Sequence, residues 1–178
     1  SKLECSIMLN IDSLVKSFIG LVLLGDKRAQ LNEFHLRQIK DDEILIKVKT
    51  AGICGSDLHF YRSSASELGI RHNVVIGHEP CGTVVDIGRN VSNLAIGDTV
   101  VVNHTIGCNN CEYCFVGETV LCEHNLGMAA AGRGADAEYC FMPAKNCFRL
   151  PSEVNVATPA RLSPATIPTR KLTTSKVF

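Results

Sequence analysis

Hydrophobic and polar residues alternate along EILIKVKT at residues 43–50, which is the two-residue period of a β-strand. Two later runs, TVVDIG at 83–88 and DTVVVNH at 98–104, are rich in the β-branched residues that strands favour. The connection between these runs contains the Gly and Asn residues that are typical of turns. Short strands joined by turns predict a mainly β, antiparallel barrel-like domain.

The remaining segments predict little regular structure. We expect short helices around Ser56 to Leu68 and in the cysteine-rich segment near residue 110. Beyond residue 150 the chain becomes rich in Pro, Ser and Thr and only weakly periodic. This last segment is therefore expected to form a loose tail.

Composition narrows the range of functions. The chain has 178 residues, enough for one sizeable core, and 18 basic residues balance 18 acidic ones. No net field attracts nucleic acid or an anionic membrane surface. The apolar stretch SFIGLVLLG at 17–25 is too short to span a bilayer, and no small-residue cleavage site follows it. We expect a soluble, cytoplasmic protein without nucleic-acid or membrane partners.

Four of the nine cysteines, Cys108, Cys111, Cys114 and Cys122, follow the spacing C-x2-C-x2-C-x7-C. The odd total and uneven placement argue against a disulfide framework and favour a metal site. Four thiolates close a tetrahedron around Zn²⁺ at about 2.3 Å and leave no open position, so this zinc would be structural. An iron–sulfur cluster is less favoured because its runs use other spacings, and thiols without a metal are the remaining alternative.

Residues around the four cysteines suit a tight metal-binding turn. Gly107, Asn109 and Asn110 belong to residue types that tolerate positive φ, which such turns often need. His104 and His124 flank the segment and could replace a sulfur ligand, but a complete set of four thiolates makes this unnecessary.

Two stretches inside the predicted barrel carry further candidate ligands. GICGSDLHFY and IGHEPCGTVV contain Cys54, Ser56, Asp57 and His59, and His78 and Glu79. Each residue alone is a weak signal, because a lone Cys in an apolar strand is more often a buried core residue. The cysteines without ligand spacing are interpreted as buried or incidental thiols: Cys5, Cys81, Cys140 and Cys147.

Taken together and in this order, these stretches and the cysteine segment resemble the medium-chain, zinc-dependent alcohol dehydrogenase family, in particular its polyol, threonine and secondary-alcohol branches. The likeness extends from LVLLGDKRAQLNEF to ADAEYCFMPAKNCFRLP. It implies a GroES-like catalytic domain at 19–151, with the structural zinc lobe at 107–123. An N-terminal extension at 1–18 and an atypical tail at 152–178 would flank this domain. In that family a separate Rossmann domain binds NAD or NADP.

The resemblance also implies a role for each candidate residue. Cys54 and His78 match ligands of a catalytic zinc, and Glu79 matches the acidic neighbour that can approach this metal. Asp57 matches the carboxylate that orients a ligating histidine. The four lobe cysteines match the ligands of the structural zinc.

Proton transfer is implied for two further residues. Ser56 matches the hydroxyl that contacts the substrate alcohol, and His59 matches the outer histidine of a proton relay. In the implied chemistry zinc polarises the alcohol, Ser56 and His59 pass its proton to solvent, and a nicotinamide accepts the hydride.

Two features depart from the family pattern. No G-x-G-x-x-G motif follows a strand, and the residues after 151 are too few for a βαβαβ sheet, so the Rossmann domain is expected to be absent. NAD or NADP could then bind only if such a domain is supplied. The third catalytic ligand of the family is expected at Ser163, and serine ligates zinc poorly. The catalytic metal would then be held less tightly, or Glu79 would have to coordinate it directly.

The sequence thus predicts the catalytic-domain portion of a zinc-dependent oxidoreductase for a secondary alcohol or polyol, inactive as this chain alone. The alternative is a non-catalytic, zinc-stabilised interaction module or truncated isoform that pairs with full-length relatives. A third hypothesis is an aberrant product with exposed apolar surface. Two zinc ions per chain would favour the first hypothesis, and one would favour the second.

Overall fold

The computed structural model describes residues 16–125, 127–152 and 154, without the side chain of Ile70. Most of the predicted N-terminal extension and tail lies outside these residues, and so do Cys5 and Ser163. The description that follows concerns the described residues alone.

Strands dominate the described part of the chain. They are β1 (Ser17–Gly25), β2 (Arg28–His35), β3 (Glu43–Ala51), β4 (Pro80–Ile87), β5 (Thr99–Val102), β6 (Tyr139–Pro143) and β7 (Cys147–Arg149). The helices are short: α1 (Gly55–Arg62), α2 (Ala65–Leu68) and α3 (Glu112–Phe115), with 3₁₀ turns at Gly69–Arg71, Thr119–Leu121 and Ala144–Asn146. The predicted short helices before residue 68 and in the cysteine segment are confirmed. Because α1, the longest helix, has eight residues, the described part of the chain offers no helical segment that could traverse a bilayer.

The strands form a hairpin and a sheet. β1 pairs with β2, and the other five strands form one sheet in the order β6-β3-β4-β5-β7. Isolated bridges Gly20–Ala137 and Val22–Val75 join β1 to the segments that precede β6 and β4. Every pairing among the described residues is antiparallel. The prediction of a mainly β, barrel-like domain is confirmed.

Apolar clusters cover both faces of β3. On one face Ile44 and Ile46 belong to the main core with Val84, and on the other Leu45 packs with Phe141. Alternation along a strand ordinarily marks one solvated face. Here the first four residues of β3 are all buried, because a second cluster covers the face that the pattern would leave to solvent.

The first residue of β3, Glu43, is a buried carboxylate held by two arginines. Its side chain is 1% exposed and lies 2.6 Å from guanidinium nitrogens of both Arg37 and Arg133. Burial raises the pKa of Glu43, but hydrogen bonds from Arg37, Arg133 and the backbone N–H of Lys40 together lower it to about 2. The carboxylate therefore ties the segment before β3 to the segment before β6.

We expect Glu43→Gln to lower the free energy of unfolding by about 3 kcal/mol at neutral pH, because two guanidinium groups lose their buried counterion. Chemical unfolding monitored by circular dichroism measures this loss. Asp41→Asn is the matched control, since Asp41 pairs with Arg89 at the surface and the loss should be at most about 1 kcal/mol. Because the pKa of Glu43 is lowered on folding, its stabilisation is present above pH 4.5 and lost as the pH falls towards about 2. Equal losses in the two variants would contradict this account.

Candidate metal centres

The end of β3 and the start of β4 bring the two candidate ligand stretches together. Ala51 pairs with Pro80 in the β3–β4 ladder, and the N–H of Gly52 donates to the carbonyl of Glu79 at 3.0 Å. α1 begins directly after this point, with Cys54 as its N-cap residue. Residues far apart in the sequence thus become neighbours through an antiparallel pairing.

Asp57 connects the two stretches through its side chain. Its Oδ2 accepts a hydrogen bond of 2.8 Å from the backbone N–H of Cys54, as acidic residues in a first helical turn commonly do. Its Oδ1 lies 3.3 Å from Nδ1 of His78. A proton on Nδ1 is therefore held by Asp57, which leaves Nε2 of the same ring to act as a ligand.

Donor atoms of Cys54, His78 and Glu79 lie within 4.8 Å of one another, close enough to share one metal ion. A thiolate, an imidazole and a carboxylate form a donor set that suits zinc. The structure thus brings together the three residues that the sequence proposes as ligands of one metal.

The charges of this group are coupled. The hydrogen bond to Asp57 raises the pKa of His78 to about 9, against the opposing effect of burial. Hydrogen bonds from the backbone and hydroxyl of Ser56 lower the pKa of Cys54, and His78 lowers it further. Burial raises the pKa of Asp57, but hydrogen bonds from His78 and the N–H of Cys54 outweigh it and the pKa is lowered. A metal that binds here must displace a proton from His78.

Gly77 directly precedes the candidate ligand His78, and its conformation is one that few other residues adopt. Its φ is +87°, in the left-handed region that favours glycine. A Cβ at this position would also collide with the side chain of Asp136 and lie 2.7 Å from its backbone nitrogen. Any larger residue at position 77 would therefore require a shift of the backbone beside His78 or of Asp136.

A cleft opens beside the candidate ligands. Its lining includes polar and apolar side chains from several segments: Ser56, Asp57, Phe60, Arg71, Ile76, His78, His104 and Met128. His59 is exposed and its ring packs 5.8 Å from that of Phe60. Ser56 and His59 lie three residues apart on α1, so they share one side of the helix.

Sulfur atoms of Cys108, Cys111, Cys114 and Cys122 lie within 4.8 Å of one another. Ligands of a tetrahedral zinc with bonds of about 2.3 Å are about 3.8 Å apart, so a small adjustment closes this site. The backbone N–H of Cys108 donates to Sγ of Cys122 at 3.3 Å and lowers the pKa of that thiol to about 7. The pKa of Cys111 is lowered as well, mainly by a backbone hydrogen bond from Cys114, whereas the pKa values of Cys108 and Cys114 are raised. A cation that binds all four sulfur atoms must therefore displace protons from Cys108 and Cys114.

Two residues of the predicted turn have separate reasons for their presence. Asn109 has φ +60°, so the expected positive φ is found there. Gly107 is required by space instead, since a Cβ would lie 2.7 Å from Sγ of Cys114. The sequence-level argument from positive φ thus holds for Asn109 and has a different physical basis at Gly107.

Hydrogen bonds attach the lobe to the sheet. Nδ2 of Asn146, in the turn between β6 and β7, donates to the carbonyls of Asn103 and Thr105 at 3.0 and 2.9 Å. Nζ of Lys145 donates to the side chain of Asn109. The segment that enters the lobe is therefore held against the β6–β7 turn.

Comparison with known proteins identifies the family to which this domain belongs. A family model described as the alcohol dehydrogenase GroES-like domain matches residues 40–152, more than half of the chain. The chain belongs to this family. The resemblance inferred from the motifs is thereby confirmed, and the mainly β domain is a GroES-like domain.

Named relatives of this GroES-like domain are dehydrogenases. L-threonine 3-dehydrogenase of Coxiella burnetii (strain Dugway 5J108-111) is 38% identical over 124 residues, 69% of this chain and 36% of that protein. A short chain alcohol dehydrogenase from E. coli CFT073, complexed with NADH, matches with TM-score 0.74 and 27% identity over 83% of this chain and 42% of its own. A protein from Sinorhizobium meliloti 1021, described as a zinc-binding dehydrogenase and bound to NADP, matches with TM-score 0.69 and 28% identity over 82% and 42%. The chain therefore spans somewhat over a third of the length of these relatives.

Several cleft residues of the GroES-like domain were not recognised from the sequence. Arg71 and Phe60 reach the cleft from different elements, and no linear spacing marks either one. The sequence suggests His104 only as a replacement for one of the lobe thiolates. In the structure its ring lies edge to face with that of His78, with 5.2 Å between the ring centroids. Burial lowers the pKa of His104, and its Nδ1 is buried without a partner among the described residues. Cys81, Cys140 and Cys147 are buried, as the sequence suggested.

Substitutions should distinguish the role of the Cys54, His78 and Glu79 cluster from the role of the four lobe cysteines. We expect Cys111→Ser to release about one zinc per chain and to destabilise the lobe, with Tm falling about 2–4 °C per kcal/mol lost. His78→Ala should remove only the other zinc and leave folding largely intact, since this side chain borders a cleft. Elemental analysis and thermal unfolding measure both effects. If both variants unfolded equally, the division into structural and catalytic sites would be wrong.

Asp57→Asn should lower the zinc affinity of the Cys54, His78 and Glu79 cluster by about 10–100-fold, because an amide holds the ring of His78 less strongly than a carboxylate does. The zinc affinity of the unmodified chain should rise with pH up to about 9, since a proton must leave His78. In the variant this rise should end at lower pH, because the pKa of His78 is no longer held up. Competition with a chromophoric chelator measures affinity at each pH. Asp26→Asn, at an exposed turn, should leave affinity and pH profile unchanged.

Proposed function

We propose that this chain forms the catalytic domain of a zinc-dependent, NAD(P)-linked dehydrogenase that oxidises a small secondary alcohol or polyol. The observation that carries this proposal is the bridge that Asp57 makes between Cys54 and His78, next to Glu79 and at the edge of a cleft. An oriented imidazole with a neighbouring thiol and carboxylate is the arrangement that a catalytic zinc needs. The domain would extend over residues 19–151, with the structural lobe at 107–123.

Cys54, His78 and Glu79 would hold the catalytic zinc, and the four lobe cysteines would hold the structural one. The donor chemistry of both groups fits zinc, and the thiolate-rich lobe leaves no coordination position for a substrate. Glu79 is proposed as a direct ligand because its carboxylate lies within the same cluster. When bound, the catalytic zinc would act as a Lewis acid on the substrate hydroxyl, and a nicotinamide would accept the hydride.

The residues of this chain would position the alcohol and move its proton. Ser56 lines the cleft beside His78, so its hydroxyl can accept the proton of a substrate alcohol. His59, on the same side of α1 and exposed, would pass that proton to solvent. Apolar side chains of Phe60, Ile76 and Met128 line the cleft and would exclude water from the reacting carbon.

Binding of the nicotinamide would require a nucleotide-binding unit outside the described residues. Both solved relatives described above hold NADH or NADP, and this chain covers 42% of each. The described residues would supply the metal ligands, the proton-transfer residues and the cleft-lining residues of the proposed site. We infer accordingly that the described residues do not turn over an alcohol without such a unit.

A second candidate function is a zinc-stabilised interaction module that associates with longer relatives. It is favoured by large apolar side chains exposed on the cysteine lobe, namely Phe115, Val116, Val120 and Leu121, at 55–73% exposure. Exposed apolar patches commonly mark protein interaction sites. This candidate needs only the structural zinc.

Metal content tests the choice between the two functions. We expect about two zinc ions per purified chain by elemental analysis, one of them removed by mild chelation. Cobalt introduced at the emptied site should show thiolate charge-transfer absorption that changes when a secondary alcohol such as 2-butanol is added. His78→Ala should abolish this absorption, whereas His72→Ala, at an exposed position, should retain it. One tightly held zinc without a removable second ion would refute the dehydrogenase proposal and favour the interaction module.

A further inference from the structure

Arg71 contributes a cationic group to the wall of the cleft. It ends the 3₁₀ turn Gly69–Arg71 and lines the same cleft as Ser56 and His78. Its guanidinium carbon lies 4.8 Å from the ring centroid of Phe60, which also lines the cleft. Stacking on an aromatic ring holds the guanidinium plane and leaves its N–H edges available for a planar anion.

No carboxylate forms an ion pair with Arg71 within the part of the chain that the structure describes. Other arginines there do reach carboxylates, as Arg89 does with Asp41 at 2.7 Å and Arg133 with Glu43 at 2.6 Å. A half-buried guanidinium with an aromatic contact and no counterion is unusual among the arginines of this domain. Arg71 therefore lines the cleft without an ion-pair partner among the described residues.

Two of the carboxylates near Arg71 in the fold or in the sequence are engaged by other groups. Asp57 is shared between His78 and the N–H of Cys54. Glu67, the acidic residue closest to Arg71 in sequence, accepts hydrogen bonds from Ser64 at 2.7 and 2.9 Å. No carboxylate among the described residues forms an ion pair with Arg71 on the cleft wall, and a guanidinium in this position attracts and orients an anionic ligand.

We propose that Arg71 binds the anionic group of the substrate, a carboxylate or a phosphate, while the substrate hydroxyl lies at Ser56. The preferred substrate is then a secondary alcohol or polyol that also carries an anionic group, namely a hydroxy acid or a polyol phosphate, and neutral alcohols bind more weakly. This inference rests on the proposed function, because it places the ligand in the same cleft. Guanidinium groups recognise both carboxylate and phosphate by paired hydrogen bonds, so the two anions share one chemistry at this position.

Binding of matched charged and neutral ligands tests the proposal. The zinc-loaded, ¹⁵N-labelled chain is titrated with 3-hydroxybutyrate and with its neutral amide, and in parallel with glycerol 1-phosphate and glycerol. We expect at least one charged ligand to bind about tenfold more tightly than its neutral partner, the size of a charge-assisted hydrogen bond. Which pair shows the preference distinguishes carboxylate from phosphate.

Variants identify the group responsible. Arg71→Met should remove the preference for the charged ligand, and Arg71→Lys should restore part of it. Arg62→Met is the matched control, since Arg62 is exposed at the end of α1 and does not line the cleft, and it should leave the preference unchanged. Amide spectra of each variant report whether the fold is retained, so a loss of binding with an intact spectrum is attributable to the side chain.

Three outcomes of the titrations with these four ligands would overturn the proposal. They are equal binding of charged and neutral ligands, an unchanged preference in Arg71→Met, and no binding of any of the four ligands up to their solubility. Arg71-dependent binding of ADP-ribose without binding of the hydroxy acid or polyol phosphate would assign Arg71 to a cofactor subsite and also overturn it. The zinc content of each sample is measured independently by elemental analysis. A missing removable zinc with a retained anion preference would refute the proposed function but leave the anion site standing.

Discussion

The carboxylate of Asp57 is the contact on which the candidate centre depends. One of its oxygens accepts a hydrogen bond from the backbone N–H of Cys54, the N-cap residue of α1. The other oxygen lies beside Nδ1 of His78, just before β4. A single buried side chain thus fixes a helix terminus and a ring orientation at once. Because both partners are themselves candidate ligands, the spacing between thiol and imidazole is determined by the fold before any ion arrives. Preorganisation of this kind reduces the ordering that ligand binding would otherwise require.

The two cysteine-bearing groups depend on the fold to different degrees. The four lobe thiols lie within fifteen consecutive residues, and the contacts between them are made by local turns. The group around Cys54 and His78 is assembled across the β3–β4 ladder and has no local route to formation. The lobe can therefore take shape whenever its ligands find a cation, whereas the other group exists only in the folded sheet.

Sequence patterns predicted those features whose physical basis is local. Cysteine spacing indicated the lobe, and β-branched runs indicated strands β4 and β5. Burial of Glu43 could not be predicted from the alternation of β3, because it depends on Arg37 in the preceding segment and on Arg133, which is distant in the sequence. Arg71 lies in a 3₁₀ turn and His104 follows β5, and no periodic signal links either residue to His78, with which both line the cleft. Residue roles that depend on contacts between distant segments can be recognised only from the three-dimensional structure.

Gly77 carries a consequence for how this domain can vary during evolution. Two independent barriers oppose its replacement, the left-handed backbone and the closeness of Asp136. A smaller side chain at 136 would remove only part of the steric barrier, because the backbone nitrogen of that residue lies 2.7 Å from the Cβ position. It would leave the conformational barrier untouched, which few residues other than glycine and asparagine overcome. Position 77 is thus closed to single mutational steps and also to the simplest compensating pair, so sequence drift around the histidine must proceed through other positions.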